Sequence, residues 1–151
     1  GRRKYKYIKR EYVLDNEYID CYKVMIPEAN GSGAIGEVLS TPLIGAPLIG
    51  APLIGATDTF ICVGPFKDNM TAENVLKYVK TKFSRTMLGV KKATQYNPRN
   101  TWELVPLQDF TAHSDIDWTK SIPEIDQQLY RKYNLTKEEI DFIETKVQAM
   151  E

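Results

Sequence analysis

The chain has 151 residues, 42% of them apolar, with 20 basic and 20 acidic side chains, one His and two Cys. That length suits a single domain over 1–151 that buries roughly 68–70% of its unfolded surface, and 26% charged residues is not the composition of a disordered tail. Cys21 and Cys62 are too few for a disulfide scaffold or a cysteine zinc site, one His excludes a multi-histidine metal centre, and no apolar run of about 18 residues exists to span a membrane. A cytoplasmic, metal-free setting is expected, and Gly1 in place of an initiator Met is expected of a piece cut from a longer protein.

In chain order, Tyr5 to Leu14 alternates aromatic or aliphatic with polar residues, and Cys21 to Ile26 is a β-favouring run stopped by Pro27. Asn30-Gly31-Ser32-Gly33 is a loop. The unit Pro-Leu-Ile-Gly-Ala then occurs three times, at 42–46, 47–51 and 52–56. A period of five fits neither helix nor strand, and the recurring Pro disfavours both, so 41–56 is predicted to be an apolar repeat loop. Thr59 to Gly64 predicts a strand ended by Gly64-Pro65, and Trp102 to Val105 a short strand stopped by Pro106.

Three helices are marked more clearly. The first is predicted from about Thr71 to Lys92, with Asn69 or Thr71 as cap. It buries Ala72, Val75, Leu76, Val79, Phe83 and Val90 at a 3.6-residue period, with Met87 at the edge. Ser121-Ile122-Pro123-Glu124 opens the second with a capping box and Pro in its first turn. Ile125, Leu129 and Tyr133 line its buried face, and Asn134 takes the left-handed stop with Leu135 packing back. Thr136-Lys137-Glu138-Glu139 opens the third, which buries Ile140, Ile143, Val147 and Met150. The last two form a helical hairpin over 121–151, and the fold class is α+β: a small mixed or antiparallel sheet, one long basic helix and the αα-hairpin.

Zero net charge hides an alternation. Residues 1–10 and 67–99 each carry a net +6, and residues 11–66 and 100–151 each carry a net −6. Two basic blocks with Tyr, Asn and Gln nearby suit a polyanion-binding face turned away from the acidic C-terminal hairpin. Around the first helix stand Lys77, Lys80, Lys82, Arg85, Lys91 and Lys92, suited to phosphate neutralisation. The loop after it, Thr94 to Asn100, offers Gln95, Asn97, Arg99 and Asn100. Arg pairs with guanine edges and Asn or Gln with adenine edges in the major groove.

Catalytic patterns are weak by comparison. Gly31-Ser32-Gly33-Ala34-Ile35-Gly36 matches G-x-G-x-x-G, but too few residues precede Pro42 for the helix that pyrophosphate binding needs. Glu144-Thr145-Lys146 has nuclease-like spacing but sits on a helix rather than a sheet edge. His113, in the polar loop Thr111 to Asp115, has no strand–turn–helix elbow beside it.

Several segments together carry a resemblance. They are Lys80-Thr81-Lys82-Phe83-Ser84-Arg85, Gly89 to Gln95, Trp102-Glu103-Leu104-Val105-Pro106-Leu107-Gln108-Asp109-Phe110, Ser114-Asp115-Ile116-Asp117-Trp118, and Ile125-Asp126-Gln127-Gln128-Leu129-Tyr130 on to Thr136. From about Tyr18 to the end the chain resembles the C-terminal region of bacterial restriction–modification enzymes, the type II group that combines an adenine-specific DNA methylase with an endonuclease. The resemblance implies a target-recognition domain for double-stranded DNA, similar in role to the recognition domains of type I specificity subunits. The family's cofactor motif and its Asn/Asp-Pro-Pro-Tyr/Phe motif are missing; Asn97-Pro98-Arg99-Asn100 only begins like the latter. The implied fragment is therefore no enzyme by itself and holds no cofactor, while S-adenosylmethionine and catalysis belong to upstream methylase or nuclease domains of the parent chain. The alternative is a protein-interaction module that docks the hairpin and the apolar repeat onto a catalytic subunit. A small hydrolase using His113 is a third, weaker reading.

Overall fold

The computed structural model describes residues 4–30 and 44–150. The loop Gly31–Gly36 and the start of the first repeat copy lie outside the described residues. A three-stranded antiparallel sheet, ordered β2–β1–β3, is built from β1 (Tyr22–Pro27), β2 (Leu48–Gly50) and β3 (Phe60–Phe66). Four helices follow: α1 (Asn69–Lys80), α2 (Lys82–Lys91), α3 (Ile122–Lys132) and α4 (Lys137–Lys146). The α+β class and the C-terminal hairpin expected from the sequence are therefore present.

The central strand sorts its residues by alternation. Val24 and Ile26 face α1 and α2, where Val75, Val79 and Leu88 meet them in one apolar cluster. Lys23 and Met25 face the other way, yet both are buried. The Lys23 ammonium donates to the carbonyls of Tyr18 (2.6 Å), Cys21 (3.1 Å) and Ala51 (3.3 Å), so the cation ties the chain entering β1 to the chain leaving β2. Burial lowers its pKa, outweighing Cys62, Cys21 and Asp20, which favour the charged form. A second cluster gathers Tyr78, Phe83, Trp118, Ile125, Leu129, Tyr130 and Ile143, with Val105 and Phe110 packed against both clusters.

The repeat is not a loop throughout. Its three identical copies occupy three environments. Ile44 of the first copy is 1% exposed in the sheet–helix cluster. The second copy supplies β2, with Leu48, Ile49 and Gly50 opposite Met25, Val24 and Lys23. A Cβ on Gly45 would lie 2.7 Å from the Pro27 side chain, and one on Gly50 would lie 2.9 Å from Lys23, whereas Gly55 meets nothing within 4 Å. The third copy is a surface turn with Leu53 at φ 65°, its N–H donating to Ile19 (2.8 Å). Pro is tolerated because β2 is an edge strand that starts just after Pro47.

Other expectations shift. The predicted long basic helix is two helices broken at Thr81, and it starts at Asn69 with Asp68 as the cap that accepts from Thr71 N–H (2.7 Å). After the break Leu88 is buried and Val90 is exposed. Trp102–Val105 is not a strand: Arg99–Leu104 is a 3-10 helix. Tyr5 to Leu14 joins no sheet and contains only the 3-10 turn Arg10–Tyr12. Tyr133 stays partly exposed but stacks on Phe83 at 4.9 Å. The hairpin turns as its residues dictate, with Asn134 at φ 52° and Leu135 N–H donating to Tyr130 (3.0 Å).

Identical residues in unequal places give a test. Ile44→Ala is expected to cost about 2–5 kcal/mol in urea unfolding. Ile54→Ala, at a site 45% exposed, should stay within about 0.5 kcal/mol.

Candidate nucleic-acid interface

The placement of the basic residues follows from the break at Thr81. Thr81 is buried, its hydroxyl donating to Tyr78 O (2.6 Å) and accepting from Ser84 N–H (3.1 Å). The next two orphan donors of α2 turn to another helix: Asp126 of α3 accepts from Lys82 N–H (3.0 Å) and Phe83 N–H (2.8 Å). A carboxylate thus sits at the positive pole of α2. Arg85, one turn on, points back, and its Nε donates to the carbonyls of Lys80 and Thr81 (both 3.1 Å) at the C-terminal end of α1.

Arg85 is therefore 1% exposed and does not stand on the surface as a phosphate contact. Burial brings its pKa down to about 10, with Asp126 opposing. Burial also dominates at Asp126. It outweighs the two backbone donors and Arg85 and pushes the carboxyl up to about 6.

The other predicted phosphate contacts divide by helix end. Lys77 donates to the carbonyls of Trp118 (2.7 Å) and Lys120 (3.1 Å), and Lys82 pairs with Glu144 (2.7 Å), which also accepts from Tyr130 (3.0 Å). α2 packs directly on α3 and α4. The acidic hairpin is thus not turned away from the basic helix; it lies against it and neutralises part of it. At the far end of α2, Lys91 pairs with exposed Glu103, and Lys92 donates to Asn30 O and Thr94 O (both 3.1 Å). Lys80 is half-buried, with no ion pair among the described residues.

The polar loop is held by backbone. Past Pro27 the chain runs on beside it: Asn30 N–H donates to Gln95 O, Asn97 N–H donates to Glu28 O (both 2.7 Å), and Ala29 bridges Tyr96. Asn97 is 0% exposed, so this predicted base reader belongs to the loop's anchor. Gln95 is half-buried, and Arg99 and Asn100 are exposed at the start of the 3-10 helix. Tyr96, half-exposed, was not singled out by the sequence, although its place between Gln95 and Asn97 was the available signal.

Among the described residues no group of three or more His, Cys, Asp and Glu side chains is placed to hold a metal, and His113 lies exposed in its turn. No helix among them is long and apolar enough to cross a membrane. Compared with known proteins, the chain matches no family model, no curated protein and no solved structure.

The raised pKa of Asp126 fixes the sign of a pH effect. Between its ordinary 3.8 and about 6 the folded state holds the proton and the unfolded state does not, so its contribution to stability falls as pH rises. From about pH 4 to pH 7 that loss is about 2 kcal/mol. Asp126→Asn should remove this slope, so the stability of the native protein relative to the variant should drop by that amount across the window. Urea midpoints at several pH values for both proteins provide the check.

Proposed function

We propose that the domain reads sequence in double-stranded DNA on behalf of a site-specific adenine methyltransferase or methyltransferase–endonuclease. The observation that carries the reading is the loop at 94–100. Its backbone is tied to 28–30 and its Asn97 is buried, while Gln95, Arg99 and Asn100 remain for base edges. A reader needs side chains of the right type on a backbone that does not move, since a bidentate Arg–guanine or Asn–adenine pair tolerates little displacement.

Phosphate contact falls to Lys80 and Lys91. The Lys91–Glu103 pair is exposed, and exposed pairs are worth about 0–1 kcal/mol, so a phosphate competes for that ammonium at little cost. Catalysis and S-adenosylmethionine belong, in this reading, to other domains of the parent chain, in the bacterial cytoplasm. The resemblance of Trp102–Phe110 and Ile125–Tyr130 to restriction–modification enzymes supports the assignment. A second reading, a protein-docking module, draws on the exposed Leu53 and Ile54 of the third repeat copy and on half-exposed Phe142 of α4.

The test is selection of bound duplexes from a randomised pool, followed by titration at several salt concentrations. Arg99→Ala should lose about 1–3 kcal/mol of discrimination at one base pair. Lys91→Ala should weaken all duplexes alike and flatten the log–log salt slope by about 0.9. Asn97→Ala should lower stability instead. An unchanged selected sequence with Arg99→Ala and Asn100→Ala would remove the loop as reader, and salt-insensitive binding to a protein partner would favour the docking module.

A further inference from the structure

The segment before the sheet is unlike the rest of the surface. Tyr5, Tyr7, Ile8, Tyr12 and Leu14 are all at least two-thirds exposed. Tyr rings of a folded domain usually bury most of their area. Here they alternate with cations: Lys4, Lys6 and Lys9 interleave with Tyr5, Tyr7 and Ile8. Lys9 pairs with Glu11 (3.6 Å) and Arg10 with Asp15, both within the segment. Among the described residues, no hydrogen bond, ion pair or ring contact joins Lys4–Ile8 to the body of the domain.

We propose that the segment 4–14 is a grip for single-stranded DNA, with Tyr5 and Tyr7 as stacking platforms and Lys4 and Lys6 as phosphate contacts. Charge decides among occupants. An apolar protein surface would match the rings but strand two ammonium groups. An anionic bilayer would match the ammonium groups but offers nothing to stack. A duplex hides the faces of its bases. A single strand presents phosphates and open base faces along one line, which is what interleaved rings and cations recognise.

The experiment uses the whole 151-residue chain, a fluorescein-labelled thymidine 20-mer, the matching duplex and phosphatidylserine vesicles, read by anisotropy and co-sedimentation. The double variant Tyr5→Ala/Tyr7→Ala should bind the single strand about 100-fold more weakly, roughly tenfold for each ring. Lys4→Ala/Lys6→Ala should flatten its log–log salt slope by about 1.4. Thermal unfolding should be unchanged in both, since these side chains touch nothing in the core. Arg99→Ala should leave single-strand binding intact, so this proposal and the loop's reading of duplex fail separately. Single-strand binding unaltered by loss of the two rings overturns the grip. So does loss of vesicle binding alone in that variant, which would make the segment a membrane contact.

Discussion

Two oppositely charged side chains at one helix break organise this domain. Arg85 covers the last carbonyls of α1 and Asp126 receives the first N–H groups of α2, so each charge meets the helix pole it complements. Neither group is in water, and burial moves the pKa of each toward its neutral form. The pair persists because every backbone group it covers would otherwise be stranded by the change of direction. That change of direction brings Val75, Val79 and Leu88 to the sheet and Phe83 to the hairpin, so α1 and α2 serve both apolar clusters.

The four charge blocks take on a different meaning beside this arrangement. Among the described residues, the ion pairs that cross block boundaries join a basic block to the acidic block that follows it: Lys9 with Glu11, Arg10 with Asp15, Lys82 with Glu144, and Lys91 with Glu103. The alternation is in part internal compensation. It leaves positive character at two places, the far end of α2 beside the polar loop and the segment before the sheet. Both are built on short, exposed pairs or on unneutralised lysines, where solvent competes and commitment to one partner is weak.

Local signals were legible where a few adjacent residues decide the outcome. Both capping boxes, the left-handed Asn134, the strand at 22–27 and the start of the strand at 60–66 follow from neighbours in sequence, but that last strand runs on through its expected stop at Gly64-Pro65 to Phe66. The break at Thr81 was hidden because Val79 and Phe83 keep helical spacing across it and the capping carboxylate comes from a different helix. Trp102–Val105 has β-favouring residues, but its neighbour is α2 rather than a strand. In the candidate site, the exposure of Arg99 and Asn100 follows from a polar loop. The burial of Asn97 and Arg85 depends on Glu28 and Asp126, distant partners that no window of local sequence includes.

The repeat leaves the edge of the sheet with more than one equivalent threading. Sliding the chain by five residues would place Ile49 where Ile44 lies and Leu53–Gly55 where Leu48–Gly50 pairs with β1, every side chain unchanged. Only slack differs. β2 and β3 flank β1, so the chain leaving Gly50 beside Lys23 must return to Phe60 beside Pro27, a straight line of about 16 Å before any detour around β1. Residues 51–59 cover that path with room to spare, whereas residues 56–59 reach at most about 17 Å and would be drawn taut. The exposed third copy thus acts as a length of tether, and its contour length, more than any contact it makes, selects the register of the strand before it.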